Sequence, residues 1–320
     1  MPELPEVEAL RRGLVQRIIG SKILDIKVLQ EKIIAGKGTT RKASSEKTKE
    51  FISKLKNRKI IEIKRRAKNL IFVLDSGEII LVHLKMTGQL VFRPEIKSPP
   101  NPLFTESGGI VQGGHPIQES EIQLPHKHTY IIFTLDNGTL FYNDVRQFGY
   151  VLYYKNKDVL DEEKHFENIG VEPFDTNFTL KYLQKEIEKY KKKKSTKIIK
   201  KVLLDQEIVV GCGNIYCDEV LWSSAVLPTR KVSSLKDSEV ELIYKNIKKI
   251  LDKAINSGGS SVANYLLADG KRGNYADYHN VYQKQNTLCK YKSGKVKCAG
   301  TIQKINLHGR GTHFCPVHQK

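Results

Sequence analysis

The sequence predicts an α+β protein of two domains. Three observations carry that reading: short strands joined by tight turns fill the first half, helical periodicity takes over after about residue 155, and a short tail carries three of the five cysteines.

The chain opens with one helix, expected over residues 5–19. Pro5 suits a first turn, Val7, Leu10, Leu14, Val15 and Ile18 share one stripe, and Gly20 follows as a stop. Glu6 then lies at the positive end of the helix dipole. Strand patterns come next. "KILDIKVL" alternates, "IIEIKRRAKNLIFVLDSGEIILVHL" reads as strands turned at Asp75-Ser76-Gly77, and "YIIFTLDNGTLFYNDV" as a hairpin turned at Asp136-Asn137-Gly138. Strands of this length and spacing imply a β-sandwich or barrel. Residues 94–125 are rich in Pro, Gly and Ser and read as a long, mobile insertion. Helical patterns follow in "TLKYLQKEIEKYKKKK", "IIKKVLLDQEIV", "CDEVLWSSAV" and "DSEVELIYKNIKKILDKAI". Residues 1–155 are thus expected to form the first domain, 156–170 a linker, 171–284 a helical domain and 285–320 a separate tail.

Composition narrows the function classes. Lys and Arg exceed Asp and Glu by 54 to 35, a net charge of +19 over 320 residues. The excess is clustered: residues 181–201 hold ten lysines against two glutamates, and residues 289–320 hold no carboxylate side chain. Clustered positive charge favours a polyanionic partner, nucleic acid ahead of a membrane surface. No apolar run has the length of a membrane span and the first residues lack signal-peptide blocks, so the expected location is the cytoplasm. Cys212, Cys217 and the three tail cysteines do not form a secreted disulfide framework.

The tail has metal-ligand spacing. Cys289, Cys298, Cys315 and His318 form C-x8-C-x16-C-x2-H, with His308 and His313 as alternatives to His318. Zinc prefers four such ligands in a tetrahedron, and C-x2-H supplies two from one turn. So short a segment cannot build a core of its own, and one structural zinc per chain is the expectation.

The opening "MPELPEVEAL" raises a chemical question, because removal of Met1 would leave Pro2 as a secondary amine beside Glu3 and Glu6. Helix initiation alone accounts for Pro and Glu in such a stretch. Taken with "RRAKNLIF", "HLKMTG", "DVRQFG", "LLDQEIVVGCGNIYCDEVLW" and "GRGTHFC", in that order, it resembles the formamidopyrimidine-DNA glycosylases, a family that also includes endonuclease VIII. The resemblance spans nearly the whole chain outside residues 94–125. It implies an N-terminal helix on a β-sandwich, a helical domain with a helix–two-turns–helix motif, and a zinc-finger β-hairpin. The implied activity is excision of oxidised purines from double-stranded DNA by a monomeric glycosylase and AP lyase.

The resemblance assigns roles residue by residue. Pro2 is the Schiff-base nucleophile and Glu3 the proton donor, whose burial should raise its pKa. Glu6 first anchors the N-terminal segment through backbone amides and only second takes part in catalysis. Lys68 grips phosphate and donates a proton in β-elimination; Arg310 does so in δ-elimination. Met86, Arg146 and Phe148 fill the void left by a flipped nucleotide. Asn214, Lys200, His83, His126 and His128 are expected at the DNA, with an ordinary core or surface role open for each histidine. The loop 269–275 falls where the family folds a lid over the flipped base. Two departures stand out: Gln147 replaces a usual Arg, and the usual four-cysteine site has a stretched first knuckle and His318 as its last ligand. Two other readings compete, an endonuclease VIII-like enzyme for oxidised pyrimidines and a catalytically silent module that binds damaged DNA.

Overall fold

The computed structural model describes residues 2–38, 41–95, 111–113, 124–193, 195–260 and 273–320. Met1, most of the expected insertion and most of the expected lid loop lie outside the described residues. By contacts the chain divides into two units, Met1–Phe166 with Gly258–Asn274, and Glu167–Ser257 with Tyr275–Lys320.

The first unit is a helix on a β-sandwich. Helix α1 (Leu4–Ile18) starts one residue before the expected position and buries Leu4, Val7, Leu10, Leu14 and Ile18. One antiparallel sheet contains β2 (Ile60–Arg66), β3 (Asn69–Leu74), β4 (Ile79–His83) and β9 (Tyr150–Tyr154) in that spatial order. The other is ordered β1 (Ile23–Val28), β7 (Thr129–Leu135), β8 (Gly138–Asp144), β5 (Gly88–Pro94) and β6 (Val111–Gly113). Ile23, Phe72, Val82, Leu90, Phe133 and Leu140 lie in the core with α1's Leu10 and Leu14. Two separate sheets settle the choice between sandwich and barrel.

Four elements go beyond the sequence pattern. Helix α2 (Ser45–Leu55) is capped by the Ser44 hydroxyl, which accepts from the Lys47 amide, and it buries only Phe51 and Leu55. Strands β5 and β9 are largely buried and show no clean alternation. In the stretch 156–170, Asn156 caps α3 (Lys157–Glu162), whose Leu160 packs with Ile79, Leu152 and Tyr154.

The second unit contains α4 (Leu180–Lys192), α5 (Ile199–Leu203), α6 (Asn214–Ser223) and α7 (Asp237–Asn256). The pattern "IIKKVLLDQEIV" predicts one helix, but α5 ends at Leu203. Two turns follow, held by the Gln206 side chain, which donates to the Leu204 and Cys212 carbonyls and accepts from the Gly211 amide. A helix–two-turns–helix unit results.

Helix α6 is buried from Ile215 through Trp222, so its charged residues must find partners inside the protein. The Glu219 carboxylate accepts from the backbone amides of Asn280, Val281 and Tyr282 and from the Asn280 side chain, at 2.9–3.0 Å. The tail carries short pairs β10 (Lys292–Ser293) with β11 (Val296–Lys297), and β12 (Gln303–Leu307) with β13 (Arg310–Phe314). Its core is Val281, Ile302, Cys289 and Cys315 against Trp222 of α6. No described helix is long and apolar enough to cross a membrane.

Glu219→Ala would strand three amides, that of Val281 buried and those of Asn280 and Tyr282 partly so. At about 1–3 kcal/mol for each unsatisfied donor, the variant is expected to lose about 3 kcal/mol or more of stability. Urea unfolding measures the loss, and a value below about 1 kcal/mol would mean the amides find other acceptors.

Candidate functional site

The N-terminal corner is built around one carboxylate. Pro2 and Glu3 precede α1 in extended chain and both are buried. The Glu6 side chain, 3% exposed, accepts from the Glu3 amide at 2.8 Å and from the Ser260 amide at 2.7 Å. It therefore ties the first residues of the chain to a segment 254 positions away. Gly259 makes that approach possible: its φ is +81°, and a Cβ there would lie 2.9 Å from Glu6 Oε1. Two residues along α1, Glu8 pairs with Arg11, Arg12 and, across to β2, Arg65. Burial opposes its ionisation, but the surrounding guanidinium groups hold its carboxyl below the usual range. Nothing in the sequence marks Glu8, which links the helix that carries the corner to β2 through Arg65.

Lys68 occupies the turn between β2 and β3, after Ala67 at φ +54°, and is 7% exposed. His83 ends β4, and its Nδ1 accepts from the Lys85 amide at 2.9 Å. Burial, with the Lys85 and Lys68 charges nearby, pushes its pKa well below the usual histidine range. The ring is thus neutral with its proton on Nε2, a donor rather than a cation. Lys85 itself was not singled out in the sequence; burial, Arg41 and Lys68 lower its pKa.

The three expected void fillers come together. Arg146 Nη1 lies 3.0 Å from Met86 Sδ, and its guanidinium carbon is 4.5 Å from the Phe148 ring centroid. Met86 and Phe148 are 40% and 42% exposed, which removes the core alternative for both. The two loops that carry them are joined beneath: Thr87 Oγ1 donates to Asp144 and accepts from the Arg146 amide, while Asp144 also accepts from the Gly149 amide. Gln147 takes a left-handed conformation and its amide donates to the Tyr130 hydroxyl. His126 accepts on Nδ1 from the His128 amide, and its own amide donates to Thr129, so this histidine braces the entry to β7.

In the second unit, Arg310 is exposed, directly after a turn in which His308 and Gly309 have φ of +50° and +76°. Asn214, the first residue of α6, donates to the Gly311 carbonyl at 2.8 Å and so braces that hairpin. Lys200 requires a correction. It was expected to contact DNA, yet it is 1% exposed, and its ammonium donates to Asp218 at 2.6 Å and to Thr312 Oγ1 at 2.7 Å. Asp218 also accepts from the His313 amide and lies 3.2 Å from His313 Nδ1. A buried charge keeps its charge by pairing, so Lys200 locks α5 to α6 and β13. Nothing in the sequence marks Asp218 as the partner.

The tail cluster can hold a metal ion. One ligand atom from each of Cys289, Cys298, Cys315 and His318 lies within 4.8 Å of the others. His318 Nε2 lies 3.0 Å from the Trp222 carbonyl, which fixes the proton there and leaves the Nδ1 lone pair facing Cys289 Sγ at 3.3 Å. Tyr291 stacks on the ring at 4.2 Å. Of the alternative ligands, His313 is taken by Asp218 and His308 sits in the hairpin turn.

Residues 1–151 match the family model of the formamidopyrimidine-DNA glycosylase N-terminal domain, and residues 169–265 that of the formamidopyrimidine-DNA glycosylase H2TH domain. The chain is 36% identical to the formamidopyrimidine-DNA glycosylase of Bacillus cereus over 320 residues, covering 100% of this chain and 99% of that one. It is likewise 36% identical to that of Streptococcus pneumoniae over 321 residues, with the same coverage. A Lactococcus lactis Fpg variant solved in complex with DNA containing Fapy-dG superimposes with a TM-score of 0.78 at 33% identity, covering all of both chains. The Lactococcus lactis Fpg in complex with DNA containing an abasic site gives 0.77 at 33% identity, covering 99% of each chain. With both family models and full-length relatives matched, the chain belongs to the formamidopyrimidine-DNA glycosylase family.

Proposed function

We propose that this protein is a bifunctional DNA glycosylase and AP lyase of base excision repair that removes oxidised purines, 8-oxoguanine and formamidopyrimidines, from double-stranded DNA. The observation that carries the mechanism is the Pro2-Glu3 pair, which stands outside α1 with its backbone tied down by Glu6.

Once Met1 is removed, the Pro2 nitrogen is a secondary amine with a pKa of roughly 8, so a useful fraction is neutral near neutral pH. It attacks C1′ of the damaged nucleotide; the bond from C1′ to the base breaks, and the base leaves with the electron pair and takes up a proton. Glu3 gives its proton to the ring oxygen as the sugar opens, leaving a cationic iminium between Pro2 and C1′. That cation makes the 2′ proton acidic. Loss of this proton expels the 3′ phosphate, and a second elimination expels the 5′ phosphate. Lys68 and Arg310 are assigned to the phosphates and to proton donation in the two eliminations, and Asn214, His83, His126 and His128 to phosphate contacts. Met86 and Phe148 act as apolar wedges, while Arg146 bonds the orphaned partner base.

Zinc is the metal the tail donor set favours, three thiolates and one imidazole with a fixed tautomer. When bound, it would cross-link the tail and hold the β12–β13 hairpin that carries Arg310.

Borohydride treatment of the protein on a duplex with 8-oxoguanine opposite cytosine is expected to trap a covalent adduct that maps to Pro2, on chains whose intact mass lacks Met1. DNA binding without an adduct would favour a silent binding module. Met86→Ala and Phe148→Ala are each expected to slow duplex excision about tenfold or more, with stability changed by only about 0.5 kcal/mol because both side chains are exposed. Equal rates for variants and parent in single-turnover assays would remove the wedge assignment. Elemental analysis should find about one zinc per chain, lost in Cys315→Ser; a zinc-free preparation of full activity would count against a structural zinc.

A further inference from the structure

Arg41 lies in the segment between β1 and α2, far in sequence from any residue assigned to the reaction. Among the described residues its guanidinium donates only to backbone carbonyls: Gly38 at 2.8 Å, Lys32 at 3.3 Å, Phe148 at 2.8 Å and Gly149 at 2.6 Å. Among the described residues no carboxylate pairs with it. The last two acceptors are 107 and 108 positions away and belong to the loop that carries Arg146 and Phe148.

That loop is constrained from its other side as well. Asp144 holds the Gly149 amide at 2.7 Å, Gln147 is left-handed at φ +54°, and a Cβ on residue 149 would lie 2.0 Å from the Tyr142 hydroxyl. Asp144 therefore grips the loop by an amide and Arg41 by the two adjacent carbonyls. The Phe148 backbone is fixed while its ring stays 42% exposed. A guanidinium suits this task because its planar fork can address two carbonyls at once, and a lysine ammonium cannot reproduce that geometry.

We propose that Arg41 is a positioning residue for the void-filling loop, holding the Phe148 and Gly149 carbonyls so that Phe148 and Arg146 are ready to enter the duplex when the damaged nucleotide leaves it. This rests on the glycosylase reading given above. Void filling is needed in a duplex, where a hole opens in the stack, and is not needed in a single strand. Arg41 consequently acts on one substrate and not the other, which a general structural role would not do.

The test compares two substrates: single-turnover excision from a duplex with 8-oxoguanine opposite cytosine, and borohydride trapping on a single strand with one abasic site. Arg41→Ala is expected to slow duplex excision about tenfold and to leave single-strand trapping within about twofold, with Arg41→Lys intermediate on the duplex. A duplex rate within about twofold of the parent, or an equal fall on both substrates, overturns the proposal. If the parent protein forms no adduct on either substrate, the glycosylase reading fails instead, so the two failures are distinguishable.

Discussion

The bonds from the Glu3 and Ser260 amides to the Glu6 carboxylate are the constraint on which the N-terminal corner depends. Chain ends fray unless something ties them down, and the proposed nucleophile is the second residue of the chain. Covalent chemistry tolerates little looseness, since a displacement of about 1 Å can cost a hundredfold in rate. The apolar stripe of α1 anchors the helix against the sandwich, but a stripe ends where the helix ends. Beyond that point the amide bonds to Glu6 help hold the chain, and the one from Ser260 forms because residue 259 lacks a Cβ. Desolvating a carboxylate is unfavourable, and charge-assisted bonds to two amides are the kind of partner that offsets it.

The second unit solves a related problem with α6. A helix buried on nearly every side would ordinarily be apolar, yet this one carries Asp218 and Glu219 at its centre. Glu219 gathers three consecutive amides of the chain leading into the tail, and Asp218 gathers Lys200 and His313. Through these two carboxylates the helix organises both the stretch at 280–282 and the hairpin whose tip carries Arg310. The tail buries few apolar side chains, Ile302 and Phe314 among them, and four metal-capable groups beside Trp222 can supply the remaining cross-link.

Legibility in the sequence followed the locality of the signal. The hairpin at Asp136-Asn137-Gly138 and the stripe of α1 are written in residues a few positions apart, and both were readable. Helix α2 was not, because its stretch is rich in Lys, Ser and Glu and buries only Phe51 and Leu55. The metal-capable cluster of Cys289, Cys298, Cys315 and His318 was readable from spacing, whereas the contacts that engage His313 and orient His318 were not, since they involve Asp218 and Trp222. Lys200 misled for the same reason: a lysine in a basic run reads as exposed, and only packing reveals the buried carboxylate opposite it.

The sequence by itself determined the inventory of chemistry: a proline behind a removable methionine, two nearby glutamates, a C-x16-C-x2-H tail and an apolar residue in each of two loops. It also determined the fold class, because period and turn chemistry are properties of neighbouring residues. Tertiary structure alone decided which partner each buried polar group takes. Glu6 meets Ser260, Lys200 meets Asp218, and Arg41 meets the Phe148 carbonyl. The physical reason is that a desolvated charge is indifferent to sequence separation and is satisfied by whatever donor or acceptor the packed core brings within about 3 Å.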